Sequence, residues 1–356
     1  MKGVNMKRRT FLKTVGSVAG SYYLGSKLTF GATETDSKEK TAEMPKRTLG
    51  KTGQKISIIG FPGLALAKQS QDEDTKALHH AYEQGINYFD VAPTYNRGNS
   101  EISMGTGLQG IDRSKIFLSC KTQMRDADGA RKELERSLTR LKTDYFDLYQ
   151  LHAISRPEDV QQALGPSGAM ETFIKAKEEG KVRYFGFSAH TSKAAMEALK
   201  GFKFDTVMFP INFIELFQMD FGKAVLELAK EQGMGVIAIK GMCGGAWPQG
   251  VQPTRDNWYN ALEKDEEINM AMRFTLSQEP VTTAIPPGFL DLFYKAIPVG
   301  KSYSKISEPE IQKLREMAKS APSVFQRMER RVALGDASHE PLYADSPHEC
   351  CPYSNA

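Results

Sequence analysis

The sequence predicts a parallel (β/α)8 barrel that is closed at one end by a short β-hairpin. Three observations predict it. Eight short apolar runs alternate with helix-like segments between residues 58 and 286, and most connections are short. Reactive polar side chains stand at or just after the ends of three successive runs, where barrel strands carry them. The chain has 356 residues, 40% hydrophobic and 25% charged, which suits one barrel with terminal additions.

The elements follow one another in a regular order. A glycine between two short polar runs at 47–57 predicts the hairpin. Barrel strands are predicted at 58–64, 88–92, 115–122, 145–152, 182–188, 206–212, 235–240 and 281–286. Helices are predicted at 72–84, from 100, at 125–141, in a segment ending at 180, and at 192–199, 221–232, 265–278 and 309–321. An irregular insertion at 243–259 follows the seventh strand.

The first 32 residues differ from the remainder of the chain. They hold six Lys and Arg residues and no acid, so without them the net charge changes from +4 to −2. This balance provides no broad positive surface for nucleic acid, and no nucleic-acid partner is expected. We expect residues 33–45 to form a flexible linker, 46–322 to form the barrel and 323–356 to form a C-terminal tail.

The N-terminal segment has the features of a targeting signal. Arg8 and Arg9, followed by Phe11-Leu12-Lys13 and a mildly apolar run, resemble a twin-arginine signal peptide. That resemblance implies the twin-arginine export machinery as a partner and a location in the periplasm or cell envelope. The other interpretation is a disordered basic tail.

Four side chains at the predicted strand ends form the candidate catalytic group. Asp90 ends an apolar run, Tyr95 follows five residues later, and Lys121 and His152 end the next two strands. Since the carboxyl ends of barrel strands form one face, these four residues should meet there. Each residue alone also has a structural explanation. Asp90 could cap the next helix, and Tyr95 could pack within its loop. Lys121 could be a solvated strand end, and His152 could be a buried core histidine.

The pattern resembles the aldo/keto reductase family. Asp90, Tyr95 and the following Ser-Glu pair match the family signature, and Lys121 and His152 match the remaining two members of its catalytic tetrad. The segments 134–152 and 180–188 are also similar to the family, and the resemblance spans roughly residues 47–300. It implies a hydride-transferring oxidoreductase with NADP or NAD as the cofactor. The implied substrate is a small carbonyl or alcohol, such as an aldehyde, a ketone or a sugar-like compound.

The four residues can divide the proton chemistry among them. Tyr95 would donate the proton that the reduced carbonyl oxygen needs, and Lys121 would stabilise the tyrosinate that results. Asp90 would pair with Lys121, and His152 would hydrogen-bond to the substrate oxygen. A barrel that binds the nucleotide as a sensor or regulator, with little turnover, is the alternative interpretation.

The expected cofactor contacts depart from the family pattern in several places. The resemblance implies a cofactor-binding set of Gly63, Ser188, Asn212, Lys240, Gly241, Pro286 and Gly288. Met208 and Ile239 stand where the family has a Gln and a stacking aromatic residue, and Ala189 replaces an Asn. No Arg or Lys directly follows the Gly288 turn, and Lys295 is the nearest later cation. The sequence therefore leaves the preference between NADP and NAD open.

The aromatic residues of the insertion have two possible roles, and the cysteines predict no metal site. Trp247, Trp258 and Tyr259 in the insertion either wall a substrate pocket or cap the barrel core. Strand alternation points Cys120 away from its neighbour Lys121. Cys350 and Cys351 lack the spacing of an iron–sulfur motif, so we expect no metal site. Substrate identity and oligomeric state do not follow from the sequence.

Overall fold

The barrel predicted from the sequence is confirmed. A computed structural model describes residues 43–248 and 250–335. An antiparallel hairpin of β1 (Lys46–Thr48) and β2 (Lys55–Ser57) precedes a parallel sheet whose eight strands pair in chain order. These strands are β3 (Phe61–Pro62), β4 (Tyr88–Asp90), β5 (Phe117–Thr122), β6 (Phe146–Ile154), β7 (Val182–Ala189), β8 (Thr206–Pro210), β9 (Gly235–Ile239) and β10 (Val281–Ile285). A parallel bridge between Ile59 and Ala284 joins the first barrel strand to the last.

Helices surround the barrel. In the described residues they are α1 (Gln71–Glu83), α2 (Asn99–Gly107), α3 (Ala127–Leu141), α4 (Pro157–Leu164), α5 (Ala169–Glu178), α6 (Ser192–Gly201), α7 (Phe213–Met219), α8 (Lys223–Glu231), α9 (Asp265–Ser277), α10 (Leu290–Lys301), α11 (Glu308–Ser320) and α12 (Gln326–Ala333). Most predicted helix ends agree to within two residues. The segment predicted as one helix ending at 180 is instead two helices, α4 and α5, separated by a Gly-Pro-Ser-Gly connection.

The first barrel strand is shorter than predicted. Regular pairing covers only Phe61–Pro62, and a 3-10 turn begins at Gly63. The backbone approaches closely at this point, because a Cβ atom at Gly63 would lie 2.2 Å from Asp90 O. Only glycine allows this approach of β3 to the end of β4, where the candidate catalytic group begins.

The hairpin closes the N-terminal end of the barrel. Leu49 and Ile56 from the hairpin region pack into the barrel interior against Tyr88, Phe117 and Ile237. The Lys51 backbone N–H donates to Gly233 O over 2.7 Å, which ties the hairpin turn to the loop before β9. A packed interior with one covered end leaves the C-terminal mouth for ligands.

The first part of the segment assigned to a C-terminal tail is folded against the barrel. Phe325 is fully buried and stacks on Phe221 with ring centroids 4.8 Å apart. The Ser323 hydroxyl and the Val324 N–H donate to the two carboxylate oxygens of Glu215, over 2.6 and 2.7 Å. Sequence patterns do not predict this packing, because α12 has only eight residues and buries only Met328 and Val332.

The predicted signal segment 1–32, most of the linker and the terminal residues 336–356, with Cys350 and Cys351, lie outside the described residues. Within the described part of the chain, no helix is both long and apolar enough to cross a membrane. The same residues contain no group of three His, Cys, Asp or Glu side chains placed to hold a metal ion.

Candidate active site

Three neighbouring strands and one loop position the four predicted side chains. Asp90 is the last residue of β4, Lys121 lies near the end of β5, and His152 lies near the end of β6. Tyr95 begins a 3-10 turn between β4 and α2. All four side chains are buried, with residue exposures of 7% or less. The structure therefore brings the four residues together at the C-terminal mouth.

The Lys121 ammonium is the centre of this group. Its Nζ donates to Asp90 Oδ2 over 2.5 Å, to Val91 O over 3.0 Å and to Tyr95 Oη over 3.3 Å. The lysine thus joins a carboxylate to a phenol, as the proposed charge coupling requires. Three acceptors around one ammonium also satisfy its hydrogen-bonding capacity in a buried site.

Burial and charge oppose each other in this group. Burial acts to lower the pKa of Lys121, but attraction to Asp90 and Tyr95 outweighs it, and the pKa lies above its ordinary value. Burial raises the pKa of Tyr95 to about 12, although Lys121 acts in the opposite direction. Burial likewise raises the pKa of Asp90 against the lowering effect of Lys121. At neutral pH the phenol is therefore protonated and able to donate.

His152 faces Tyr95 across the mouth. Their ring centroids are 5.7 Å apart and the rings are nearly perpendicular. Arg125 donates to the His152 backbone oxygen over 2.7 Å, which fixes the end of β6. A substrate oxygen can lie between an imidazole and a phenol held in this way.

A cleft of about 630 Å³ opens beside the four residues. Its lining includes Asp90, Tyr95 and His152, whereas Lys121 lies behind them. Five residues of the predicted cofactor set also line it, namely Gly63, Ser188, Lys240, Pro286 and Gly288.

Comparison with known proteins identifies the family. The family model of the aldo/keto reductase family matches residues 58–322, which is most of the chain. This chain belongs to the aldo/keto reductase family. Its fold and its oxidoreductase class therefore agree with the resemblance seen in the sequence.

Individual relatives are distant. Aldo-keto reductase str7 of Strobilurus tenacellus is 25% identical over 336 residues, covering 82% of this chain and 97% of the relative. The uncharacterized oxidoreductase YqkF of Bacillus subtilis is 30% identical over 207 residues, which covers 55% of this chain but only 64% of the relative. The structure of aldo-keto reductase AKR11C1 from Bacillus halodurans, in its holo form, has a TM-score of 0.64 and 24% identity, and the match covers 81% of this chain and 100% of that chain. At that identity the structural likeness supports the fold alone.

Two members of the cofactor set predicted from family resemblance serve local structure. Asn212 caps α7, where its Oδ1 accepts from Glu215 N over 3.1 Å, and it is not among the cleft-lining residues. Gly241 is also absent from the lining, and a Cβ atom there would approach Thr275 Oγ1 to 3.0 Å. Its small size lets the backbone after β9 pack against α9.

The departures from the family pattern make part of the cleft lining apolar. Met208 and Ile239 line it where the family has polar and aromatic side chains. Ser188 remains polar, and its Oγ accepts from Ala153 N over 2.7 Å, which leaves the hydroxyl proton to donate to a ligand.

The insertion forms part of the cleft wall. Trp258 and Tyr259 line the cleft, and Trp258 meets Phe325 edge-on with centroids 6.0 Å apart. Trp247 instead donates from Nε1 to Asn257 O over 2.6 Å, which holds the insertion together. The sequence left open whether these aromatic residues wall a pocket or cap the barrel core, and Trp258 and Tyr259 form part of the pocket wall. Cys120 is buried outside this site, with its Sγ 3.5 Å from Glu101 Oε1.

Sequence reasoning missed several residues of the cleft. His190 and Asn257 line it, and His190 could have been found because it directly follows the end of β7. Lys68 was also missed: its Nζ donates to Gly288 O over 2.8 Å and lies 4.3 Å from the centroid of the Phe289 ring. Positive charge therefore reaches the Gly288 turn from the loop before α1. Lys295 contacts Glu263 O and Asp265.

Proposed function

We propose that this protein reduces the carbonyl group of a small aldehyde, ketone or sugar-like compound, with NADPH or NADH as the hydride donor and Tyr95 as the general acid. The observation that supports this function best is the contact of Lys121 Nζ with both Asp90 and Tyr95. The ion pair with Asp90 is enough to compensate the buried charge of Lys121, so the fold does not require a phenol beside the ammonium. The added contact with Tyr95 is explained by proton transfer at the mouth of the cleft.

The residues of the chain prepare the proton for transfer. The reduced dinucleotide supplies the hydride when it is bound. Tyr95 donates its proton to the substrate oxygen, and the positive charge of Lys121 stabilises the tyrosinate left behind. Asp90 keeps Lys121 charged and oriented, while His152 positions the substrate oxygen. In alcohol oxidation the same groups act in reverse.

The cleft has features that fit a dinucleotide. Ser188 offers a hydroxyl donor near the tetrad, and the Lys240 amine lines the cleft without a carboxylate partner among the described residues. At Gly288 a Cβ atom would approach Leu64 Cγ to 2.7 Å, so glycine keeps this turn narrow. Backbone turns of this kind allow close approach to phosphate groups.

The direct test is consumption of the reduced dinucleotide, followed by its near-ultraviolet absorbance, with a panel of aldehydes, ketones and sugars. Binding of the dinucleotide is measured in parallel by fluorescence. We expect turnover of at least one carbonyl class together with binding. Tight binding without turnover of any compound would contradict the reductase and support the nucleotide sensor.

We also propose that the protein is exported through the twin-arginine machinery to the periplasm or cell envelope. The support is the Arg8-Arg9 motif in a segment with six cations and no acid. Cells expressing the full chain, or a variant with Arg8→Lys and Arg9→Lys, are fractionated. We expect the original chain outside the cytoplasm and the variant inside. Retention of both chains in the cytoplasm, without cleavage, would contradict export.

A further inference from the structure

The turn that carries Tyr95 has a backbone conformation that most residues avoid. The three residues after Tyr95 are left-handed, with φ angles of 48° at Asn96, 57° at Arg97 and 88° at Gly98. A residue other than glycine rarely adopts this conformation unless contacts around it hold the backbone, and such positions cluster at functional sites. The position of the Tyr95 phenol therefore depends on the groups that hold this turn.

One side of the turn is held by the loop before α1. Asn96 Nδ2 donates to Leu66 O over 2.5 Å and to Ser100 Oγ over 3.0 Å. Leu66 follows β3, which pairs with β4 on the side away from β5. The spacing between the turn and Lys121 on β5 therefore has to be fixed by contacts on the opposite side.

Arg140 of α3 supports the opposite side of the turn. A Cβ atom at Gly98 would lie 2.2 Å from Arg140 Nη1 and 2.7 Å from its Cζ, so the guanidinium lies directly against the Gly98 backbone. The main chain of Arg140 is in equally close contact with α2, because a Cβ atom at Gly105 would lie 2.3 Å from Arg140 O. The arginine side chain thus extends along α2 and supports the turn from a closely packed helix.

Glu101 connects this arginine to β5. It lies in the first turn of α2 and is fully buried. Its Oε2 accepts from Arg140 Nη1 over 3.0 Å, and its Oε1 accepts from Cys120 Sγ over 3.5 Å. Cys120 directly precedes Lys121 on β5. One buried carboxylate therefore links the helix that follows the Tyr95 turn, α3 and the strand of Lys121.

We propose that Glu101 and Arg140 are positioning residues that set the 3.3 Å contact of Tyr95 Oη with Lys121 Nζ. This inference rests on the proposed function, in which Lys121 stabilises the tyrosinate. Such stabilisation is effective when the two groups are held in place before the reaction, because movement of the turn during proton transfer would raise the barrier. Neither Glu101 nor Arg140 is among the described residues that line the cleft, so the pair acts on the rate through Tyr95.

A purely structural ion pair would behave differently. Its loss would change the rate by the same factor whether or not the Tyr95 hydroxyl is present, because it would act on the fold as a whole. A positioning pair affects the rate only while that hydroxyl is there to be positioned. Loss of the pair in the original chain and in Tyr95→Phe therefore separates the two roles.

The test is a double-mutant cycle of Arg140→Met and Tyr95→Phe, measured by single-turnover reduction of a carbonyl substrate from the panel with saturating reduced dinucleotide. We expect Arg140→Met to lower the rate by about 10–100-fold in the original chain and by less than about twofold in Tyr95→Phe. The dissociation constant of the dinucleotide should change by less than about threefold, because the loss falls on the transition state.

Two further variants separate the rate from stability. Arg140→Met leaves Glu101 buried without its ion-pair partner, whereas Glu101→Gln with Arg140→Met removes both charges and should restore most of the stability while the rate stays low. Arg131→Met is the matched control on α3, because Arg131 pairs with Glu179 at the end of α5 over 2.7 Å. It should retain the full rate. Denaturant unfolding of each protein checks that it is folded.

The failures are distinguishable. If the original chain reduces no carbonyl compound, the proposed function is wrong, and this inference is wrong with it. If the original chain is active but Arg140→Met retains its rate, or loses the same factor in Tyr95→Phe, only the positioning role is contradicted. Recovery of the rate in Glu101→Gln with Arg140→Met would also contradict that role alone.

Discussion

Replacement of Tyr95 by Phe is expected to lower kcat for carbonyl reduction by about 10²–10⁴-fold, which is the usual contribution of a positioned general acid. The substitution removes only the hydroxyl that contacts Lys121 Nζ at 3.3 Å. The ring remains, so its packing beside His152 and the shape of the cleft are retained. Dinucleotide affinity should therefore stay nearly unchanged.

Steady-state kinetics and fluorescence titration of the same preparation check this prediction. A matched control is Tyr145→Phe, because Tyr145 lies just before β6 at the opposite end of the barrel, between Arg113 and Arg183. The control should retain full activity. Unaltered kcat in Tyr95→Phe would show that the phenol is not the proton donor.

Replacement of Lys121 by Met is expected to reduce both activity and stability. Without the ammonium, the tyrosinate that forms at Tyr95 loses its stabilising charge, and kcat should fall by at least about 10²-fold. Asp90, which is 3% exposed, would be left without its ion-pair partner. Removal of one member of a buried pair costs about 3–5 kcal/mol in the free energy of unfolding.

The double variant Asp90→Asn with Lys121→Met separates the two effects. It removes both charges, so most of the lost stability should return, because no uncompensated carboxylate remains. Activity should not return, because the charge beside Tyr95 is still missing. Denaturant unfolding and kcat are measured for the single and double variants. Recovery of activity in the double variant would contradict the role assigned to Lys121.

The barrel and the tetrad were predictable because their signals are local. Each strand is a short apolar run, and the position of a candidate site residue at its end is determined by the register of that strand alone. Because β4, β5 and β6 pair in parallel, their C-terminal ends are adjacent, and this brings Asp90, Lys121 and His152 together. Tyr95 meets them because only four residues separate it from Asp90.

The cleft walls were harder to predict because they depend on contacts between distant segments. Trp258 and Phe325 are 67 positions apart, yet their rings meet beside Lys240. No periodicity marks such a pairing in the sequence. The cap formed by Asn212 was missed for a related reason, because α7 has only seven residues and follows β8 directly.

Hydride transfer itself tests the central proposal most directly. The protein is supplied with a reduced dinucleotide carrying deuterium on the transferring position of the nicotinamide ring, together with a carbonyl substrate found in the panel. Mass spectrometry of the alcohol product is then compared with that from Tyr95→Phe. We predict that the original chain yields an alcohol with deuterium on the former carbonyl carbon, and that the variant yields almost none in the same time. An alcohol without deuterium, or equal labelling by both proteins, would contradict the proposed hydride transfer and the role of Tyr95.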